Sequence, residues 1–351
     1  MYRIIIRPLL FLLKPETVHQ LIVSLLKVLL RIPGMPYLFS KSFQVRHSKL
    51  NREFLGLKFD HPVGLAAGFD KDAEAYNELS HLGFSFIEIG TVTPLPQPGN
   101  PKPRSFRIPK DKGLINRMGF NNKGVDYAVS QLKRNNPKII IGGNIGKNTN
   151  TSNHKAIEDY KTTFIKLYDH VDYLVINLSC PNIKNLNELQ DKNATKKIIS
   201  ALEEIRKEKS KRKPLLLKIS PDLKTKDLDD VIDIFFETAI DGIIATNTSI
   251  SRENLSTPDK KIKKIGSGGI SGKPITLKST DIIHYLSERT GHQIPIISVG
   301  GVMSPDDAIE KLEAGADLVQ VYTGFIYNGP AFVRMINKAI LKHTNQQSGN
   351  D

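Results

Sequence analysis

The chain has 351 residues, with 50 Lys and Arg against 36 Asp and Glu, a formal net charge of +14, one Cys and no Trp. Hydrophobic residues make up 39% and charged residues 25%, which builds a large core and excludes a disordered chain. The single Cys excludes an internal disulfide and any multi-cysteine zinc or iron–sulfur site within the chain, while the positive balance fits nucleic acid, an anionic membrane surface or acidic small molecules alike.

The charge is uneven from the start. Residues 1–46 hold Arg3, Arg7, Lys14, Lys27, Arg31, Lys41 and Arg46 against Glu16, so this segment supplies +6 of the +14. Its apolar runs, Ile4–Leu13 and Leu21–Ile32, are broken by Pro8, Lys14-Pro15 and Pro33-Gly34. Neither run approaches the roughly 20 apolar residues of a spanning helix. No small-residue cleavage site follows the first run, which disfavours a secretory signal. Residues 15–30 read as an amphipathic helix with Pro15 in the first turn, Glu16 near the positive end, and Val18, Leu21, Ile22, Leu25, Leu26 and Leu29 at three- and four-residue spacing. Two readings stay open: a helix packed on the main domain, or a basic amphipathic hairpin lying in a membrane interface.

From residue 60 onward, short apolar runs alternate with longer helical patterns. Strands are predicted at 63–67, 86–91, 139–145, 173–178, 215–219, 242–247, 294–300 and 317–322. Helices are predicted near 72–82, 124–134, 154–169, 192–209, 225–239, 274–290, 304–314 and 330–342. Continuously apolar strands point to burial on both faces, and eight β–α units match an α/β (β/α)8 TIM barrel better than a doubly wound open sheet. Pro/Gly-rich insertions, 94–109 after the second strand and 251–273 after the sixth, read as lids over the barrel mouth. The expected division is an N-terminal amphipathic segment 1–45, a barrel 46–345 and a polar tail 346–351, with fraying from His343 onward.

In a barrel, chemistry sits at the C-terminal ends of the strands. Those positions carry Gly68-Phe69-Asp70-Lys71, Gly90-Thr91, Asn144, Asn177 to Asn182, Lys218, Thr246-Asn247-Thr248, Gly300-Gly301 and Tyr322-Thr323. No Asp/Glu/His cluster with metal-ligand spacing appears, so no metal is expected. Amides with lysines suit a planar, polar, anionic ligand. The glycines at 268–272 and 300–301, beside Tyr322-Thr323, fall where barrels place phosphate sites and point to a phosphate-bearing cofactor.

These residues closely resemble the dihydroorotate dehydrogenases, specifically the quinone-dependent, membrane-associated class 2. The matching strings are Ala66 to Lys71, Glu88 to Pro94, Gln97 to Pro101, Asn116 to Asn121, Asn177 to Asn182, Lys218 to Asp222, Asn247-Thr248 and Ser267 to Gly272, within a likeness running from about residue 15 to 342. The resemblance implies FMN against Ala67, Gly68, Thr91, Asn144, Lys218, Thr246, Gly272, Gly301, Tyr322 and Thr323, with Lys71 and Asn177 serving both cofactor and substrate. Dihydroorotate would be held by Lys71, Asn116, Asn177, Asn182, Asn247 and Thr248, with Arg117, Met118, Gly119 and Phe120 beside Asn116. A lysine pairs the carboxylate, and asparagines match alternating ring N–H and C=O groups.

The base that takes the C5 proton would be Cys180, where class 2 usually places serine and the soluble class 1 cysteine. A thiol, with a free pKa of about 8.5, accepts a proton more readily than a hydroxyl. His19 and Arg107 would lie near a quinone tunnel between the N-terminal helices and the barrel, though His19 reads equally as a helix-surface residue. The resemblance therefore implies oxidation of dihydroorotate to orotate in pyrimidine biosynthesis, a membrane quinone as oxidant, and a bacterial protein on the cytoplasmic face of the inner membrane. The alternatives are a class 1 enzyme using fumarate or NAD, an aldolase with Lys218 as Schiff base, and a nucleic-acid-binding protein. The last is disfavoured because lysines beyond the N-terminus are interleaved with acids, as over Glu203–Lys209.

Overall fold

The computed structural model describes residues 1–134, 139–179 and 186–347. Its centre is a closed barrel of eight parallel strands: β1 Val63–Leu65, β2 Phe86–Val92, β3 Ile140–Ile145, β4 Tyr173–Asn177, β5 Leu215–Ile219, β6 Gly242–Ala245, β7 Ile296–Val299 and β8 Leu318–Val321. Each strand pairs with the next, and β8 closes on β1 through Val319 opposite Val63. Ile140 apart, every residue in these strands is buried, which is why they read as unbroken apolar runs.

The pleat divides them. Ile87, Ile89, Leu174, Ile176, Leu217, Ile243 and Val319 face the helical ring, while Phe86, Tyr173, Val175, Leu216, Ile244, Ile297 and Leu318 fill the interior. The aromatic rings fit because Gly64 and Gly142 stand opposite; a Cβ on either would collide with Phe86 or Tyr173. An antiparallel hairpin, Arg52–Phe54 with Leu57–Phe59, plugs the N-terminal end by packing Phe59 edge-to-face on Phe86, ring centres 5.3 Å apart.

Three elements differ from the expected pattern. The helix after β1 is only Tyr76–Ser80, because the Asp70 carboxylate takes the Glu74 and Ala75 N–H groups, each at 2.8 Å, and Ala73 turns through φ +56°. The two insertions join in one antiparallel sheet over the mouth, Ser105–Ile108, Gly113–Asn116 and Gly269–Gly272. The last helix runs Phe332–Gln347, past the expected start of fraying, with Lys49 Nζ donating to Asn345 Oδ1 at 2.7 Å.

At the N-terminus a π-helical turn, Tyr2–Ile6, leads into helices Arg7–Phe11, Pro15–Leu29 and Met35–Phe43. They are tied to the barrel by polar contacts. Tyr2 Oη donates to the Ile326 carbonyl at 2.7 Å, Arg7 to the Tyr327 carbonyl at 3.2 Å, and Arg104 Nε to Glu16 at 2.7 Å. Leu26 is buried, whereas Ile4, Leu9, Leu12, Leu21, Leu25 and Val28 are exposed. One edge of this segment packs on the barrel, and the other presents apolar side chains to the outside. Among the described residues no helix is long and apolar enough to cross a membrane.

Candidate active site

The ends of β2 to β6 bring their amides into one connected cluster. Thr91 Oγ1 donates to Asn144 Oδ1 at 2.5 Å. Asn177 Nδ2 donates to Thr91 Oγ1 at 2.9 Å and Asn144 Oδ1 at 3.2 Å. Asn247 Nδ2 reaches Asn177 Oδ1 at 3.2 Å and Ser179 Oγ at 3.0 Å, and the Asn247 side chain accepts the Thr248 N–H at 2.8 Å. Below this layer lies Glu88, fully buried in β2, which accepts from Asn144 Nδ2 at 2.7 Å and Gln320 Nε2 at 2.6 Å. Lys218, also buried, approaches Glu88 Oε1 at 3.7 Å, its one ion-pair partner among the described residues. That contact is longer than a hydrogen bond, so the ammonium keeps its donors for a ligand.

The last three β–α connections form a backbone cradle. Gly272 (φ +93°) and Gly301 (φ +78°) adopt left-handed backbone, and a Cβ on them would strike Lys112 and Thr276 respectively. Ser271 Oγ and Thr323 Oγ1 are 2.8 Å apart beside them. Behind the cradle Thr276 Oγ1 donates to the Gly301 carbonyl at 2.7 Å and Ser279 Oγ to the Gly300 carbonyl at 2.8 Å. Lys311 braces both, donating to the Thr276 carbonyl at 2.7 Å and Ser279 Oγ at 2.5 Å; burial pulls its pKa down to about 7.

On the β1 side, Gly68 N–H donates to the Gly90 carbonyl at 2.7 Å, and the half-buried Lys71 puts its ammonium 3.0 Å from the Gly68 carbonyl. Burial lowers the Lys71 pKa. Ala67 lies between these and β1, and Tyr322 Oη points back to the Gly68 carbonyl at 3.5 Å. Thr246 continues β6 and is held by the Val299 carbonyl at 2.6 Å.

Asn116 ends a strand of the mouth sheet, opposite Gly269. Its neighbours hold the lid. Arg117 donates to the Ile265 carbonyl at 2.6 Å and the Ser267 carbonyl at 2.9 Å and stacks over Phe106, while the carbonyls of Met118, Gly119 and Phe120 accept from Asn100 and Gln97.

A family model described as "Dihydroorotate dehydrogenase" matches residues 49–343. The chain belongs to the dihydroorotate dehydrogenase family. A relative from Christiangramia forsetii, named dihydroorotate dehydrogenase (quinone), is 54% identical over 342 residues, covering 97% of this chain and 99% of its own length. One of the same name from Corynebacterium striatum is 43% identical, with coverage of 95% and 90%. Among solved structures, that of Eimeria tenella DHODH in complex with ferulenol superposes with a TM-score of 0.83 at 36% identity, covering 95% of this chain and 92% of that one.

For a dihydroorotate dehydrogenase, two expected substrate-site positions, Cys180 and Asn182, lie outside the described residues. The two quinone candidates both touch the junction of barrel and N-terminal helices. His19 Nε2 is 2.8 Å from the Phe69 carbonyl, and burial with the nearby Lys71 charge lowers its pKa to about 4. Arg107 donates to the Leu13 carbonyl at 2.6 Å and stacks over Phe11 at 4.4 Å. Sequence reasoning placed no role on Glu88, Gln320 or Lys311. The signal for the first two was a polar residue inside a strand buried on both faces; Lys311, on an amphipathic helix, gave none.

Proposed function

We infer that this chain oxidises dihydroorotate to orotate in pyrimidine biosynthesis with a quinone as oxidant, as the class 2 dihydroorotate dehydrogenases do. Near-full-length likeness to quinone-named relatives carries this reading. The donor set fits FMN: a buried lysine with unused donors, a layer of amides and hydroxyls, and two glycine turns in the late loops where barrels bind phosphate. Ala67, Gly68, Thr91, Asn144, Lys218 and Thr246 would hold its ring side, and Gly272, Gly301, Tyr322 and Thr323 its phosphate side. When bound, FMN would supply the two-electron acceptor for the hydride leaving C6.

The chain's own residues do the rest. Lys71 pairs the substrate carboxylate, and Asn116, Asn177, Asn182, Asn247 and Thr248 read the ring by donating and accepting in fixed directions. Cys180 takes the C5 proton. The 46–345 unit carries this chemistry. Residues 1–45, with exposed leucines and isoleucines beside arginines and lysines, rest on the cytoplasmic face of the inner membrane, and His19 and Arg107 line the quinone entry. The purified protein should be yellow with flavin absorbance, reduced by dihydroorotate and turned over by quinones far faster than by fumarate or NAD. A colourless protein that takes up no FMN overturns the reading. Cys180→Ala should abolish reduction by dihydroorotate with FMN still bound, and normal reduction rates would remove Cys180 as the base.

A further inference from the structure

We propose that Glu88 is a positioning residue of the cofactor site, a buried carboxylate that aims Lys218 and Asn144 and holds down the oxidising strength of the bound flavin. The proposal rests on the flavin reading above. Glu88 collects groups from three other strands: Asn144 of β3 at 2.7 Å and Lys218 of β5 at 3.7 Å on Oε1, and Gln320 of β8 at 2.6 Å on Oε2. Its side chain is fully buried. Filling the barrel does not require it, since Phe86, Val175, Leu216 and Ile244 fill the adjacent interior with apolar groups. Burying a carboxylate is costly, and a well-packed apolar side chain is often the more stable choice. What the carboxylate adds is charge. It offsets the Lys218 ammonium in a low-dielectric interior where neither is screened by water.

The sign of the effect follows from Coulomb's law. A flavin that takes up two electrons and one proton gains one negative charge, so a cation beneath it favours the reduced form and an anion disfavours it. Lys218 pulls the potential up and Glu88 pulls it back. Among the described residues the other ionisable group in this interior is Tyr173 of β4, whose phenol burial and the Glu88 charge hold far above the ordinary range and therefore neutral.

Glu88→Gln separates charge from packing. Gln320 Oε1 is buried without a hydrogen-bond partner. In the variant the introduced carbonyl keeps the Asn144 donor, and the introduced NH2 meets Gln320 Oε1 once that amide turns over. The side-chain volume and these two contacts are kept, and the carboxylate charge is gone.

The experiment is spectroelectrochemical titration of the FMN-loaded enzyme. Glu88→Gln should raise the two-electron potential by about 30 mV or more, a tenfold shift toward reduced flavin. Stopped-flow should then show flavin reduction by dihydroorotate unslowed and reoxidation by quinone slowed. Glu88→Met, an apolar side chain of similar length, should shift the potential the same way, and it decides the matter if Glu88→Gln fails to fold or to hold FMN. A wild-type protein that binds no flavin overturns the functional reading and this proposal with it. A flavin-loaded, dihydroorotate-reducible enzyme whose potential stays put in Glu88→Gln, or in Glu88→Met where that is the deciding variant, overturns this proposal alone.

Discussion

Lys71 is held by the loop that Asp70 organises: the Asp70 carboxylate fixes the Glu74 and Ala75 N–H groups, and the Lys71 ammonium rests on the Gly68 carbonyl. A bond from a preset ammonium to a carboxylate is worth about 1.5–3 kcal/mol, so Lys71→Ala should weaken orotate binding roughly 10- to 100-fold in a fluorescence titration. Because burial lowers the Lys71 pKa from 10.5, orotate affinity should begin to fall on the alkaline side before that value is reached. Two histidines set the acid side. His61, buried at the barrel's plugged end, and His19 both have pKa values lowered to about 4, mainly by burial. The unfolded chain protonates them near 6.5 while the fold keeps them neutral, so their contribution is complete above pH 6.5 and lost as pH falls toward 4. Asp70 opposes them: burial raises its pKa to about 6, so the fold holds a proton that the unfolded chain releases down to about 3.8. From these three groups, two such shifts against one leave a net loss of a few kcal/mol, at about 1.4 kcal/mol per unit. Thermal unfolding should therefore shift several degrees lower between pH 7 and 4.5, and a flat profile over that range would refute the assignment.

At the scale of elements, legibility followed from whether the governing contact was local. The barrel strands were readable because burial on both faces writes itself as an apolar run, with ends displaced by a residue or two. The mouth sheet was not, because it pairs Asn116 with Gly269 across 153 positions and its strands lie in Pro/Gly-rich stretches without alternation. Likewise the helix expected over 72–82 ignored Asp70, whose carboxylate competes for the N–H groups a helix would use. Of the site, the lysines, asparagines and glycines were legible as a set at strand ends; Glu88 was hidden because a single carboxylate in FIEIGT looks like noise until its three partners converge. The lid has its own clasp. Asp111, between two strands of the mouth sheet, accepts the N–H groups of Ser256 and Thr257 and the Thr257 hydroxyl. Asp111→Ala should cost the clasp about 1–3 kcal/mol. Hydrogen exchange over residues 251–268 should speed up while the barrel strands stay protected, and unchanged exchange there would show that the lid is held elsewhere.

At the scale of the molecule, the +14 charge resolves into a solvated background and one directional feature. Around the barrel, cations are paired across neighbouring helices, as Lys192 and Lys196 are with Asp233 and Glu237. Among the described residues the N-terminal cations form no such pairs: Glu16 is taken by Arg104 and Lys102, leaving Arg3, Lys14 and Arg31 on the segment with exposed Ile4, Leu9, Leu12, Leu21, Leu25 and Val28. Apolar side chains entering an interface gain about 25 cal/mol per Å², and each basic residue near an anionic surface adds about 1 kcal/mol that salt removes. Binding to vesicles should therefore have two components, a salt-sensitive preference for anionic lipid and a residual attachment at high salt. Leu21→Glu with Leu25→Glu places charge on the outward face without touching buried Leu26 or the Glu16–Arg104 pair. That variant should keep FMN and dihydroorotate-driven flavin reduction, lose vesicle co-sedimentation, and oxidise short soluble quinones far better than long-chain quinone in liposomes. Unimpaired vesicle binding by the double variant would place the membrane contact on another face of the barrel.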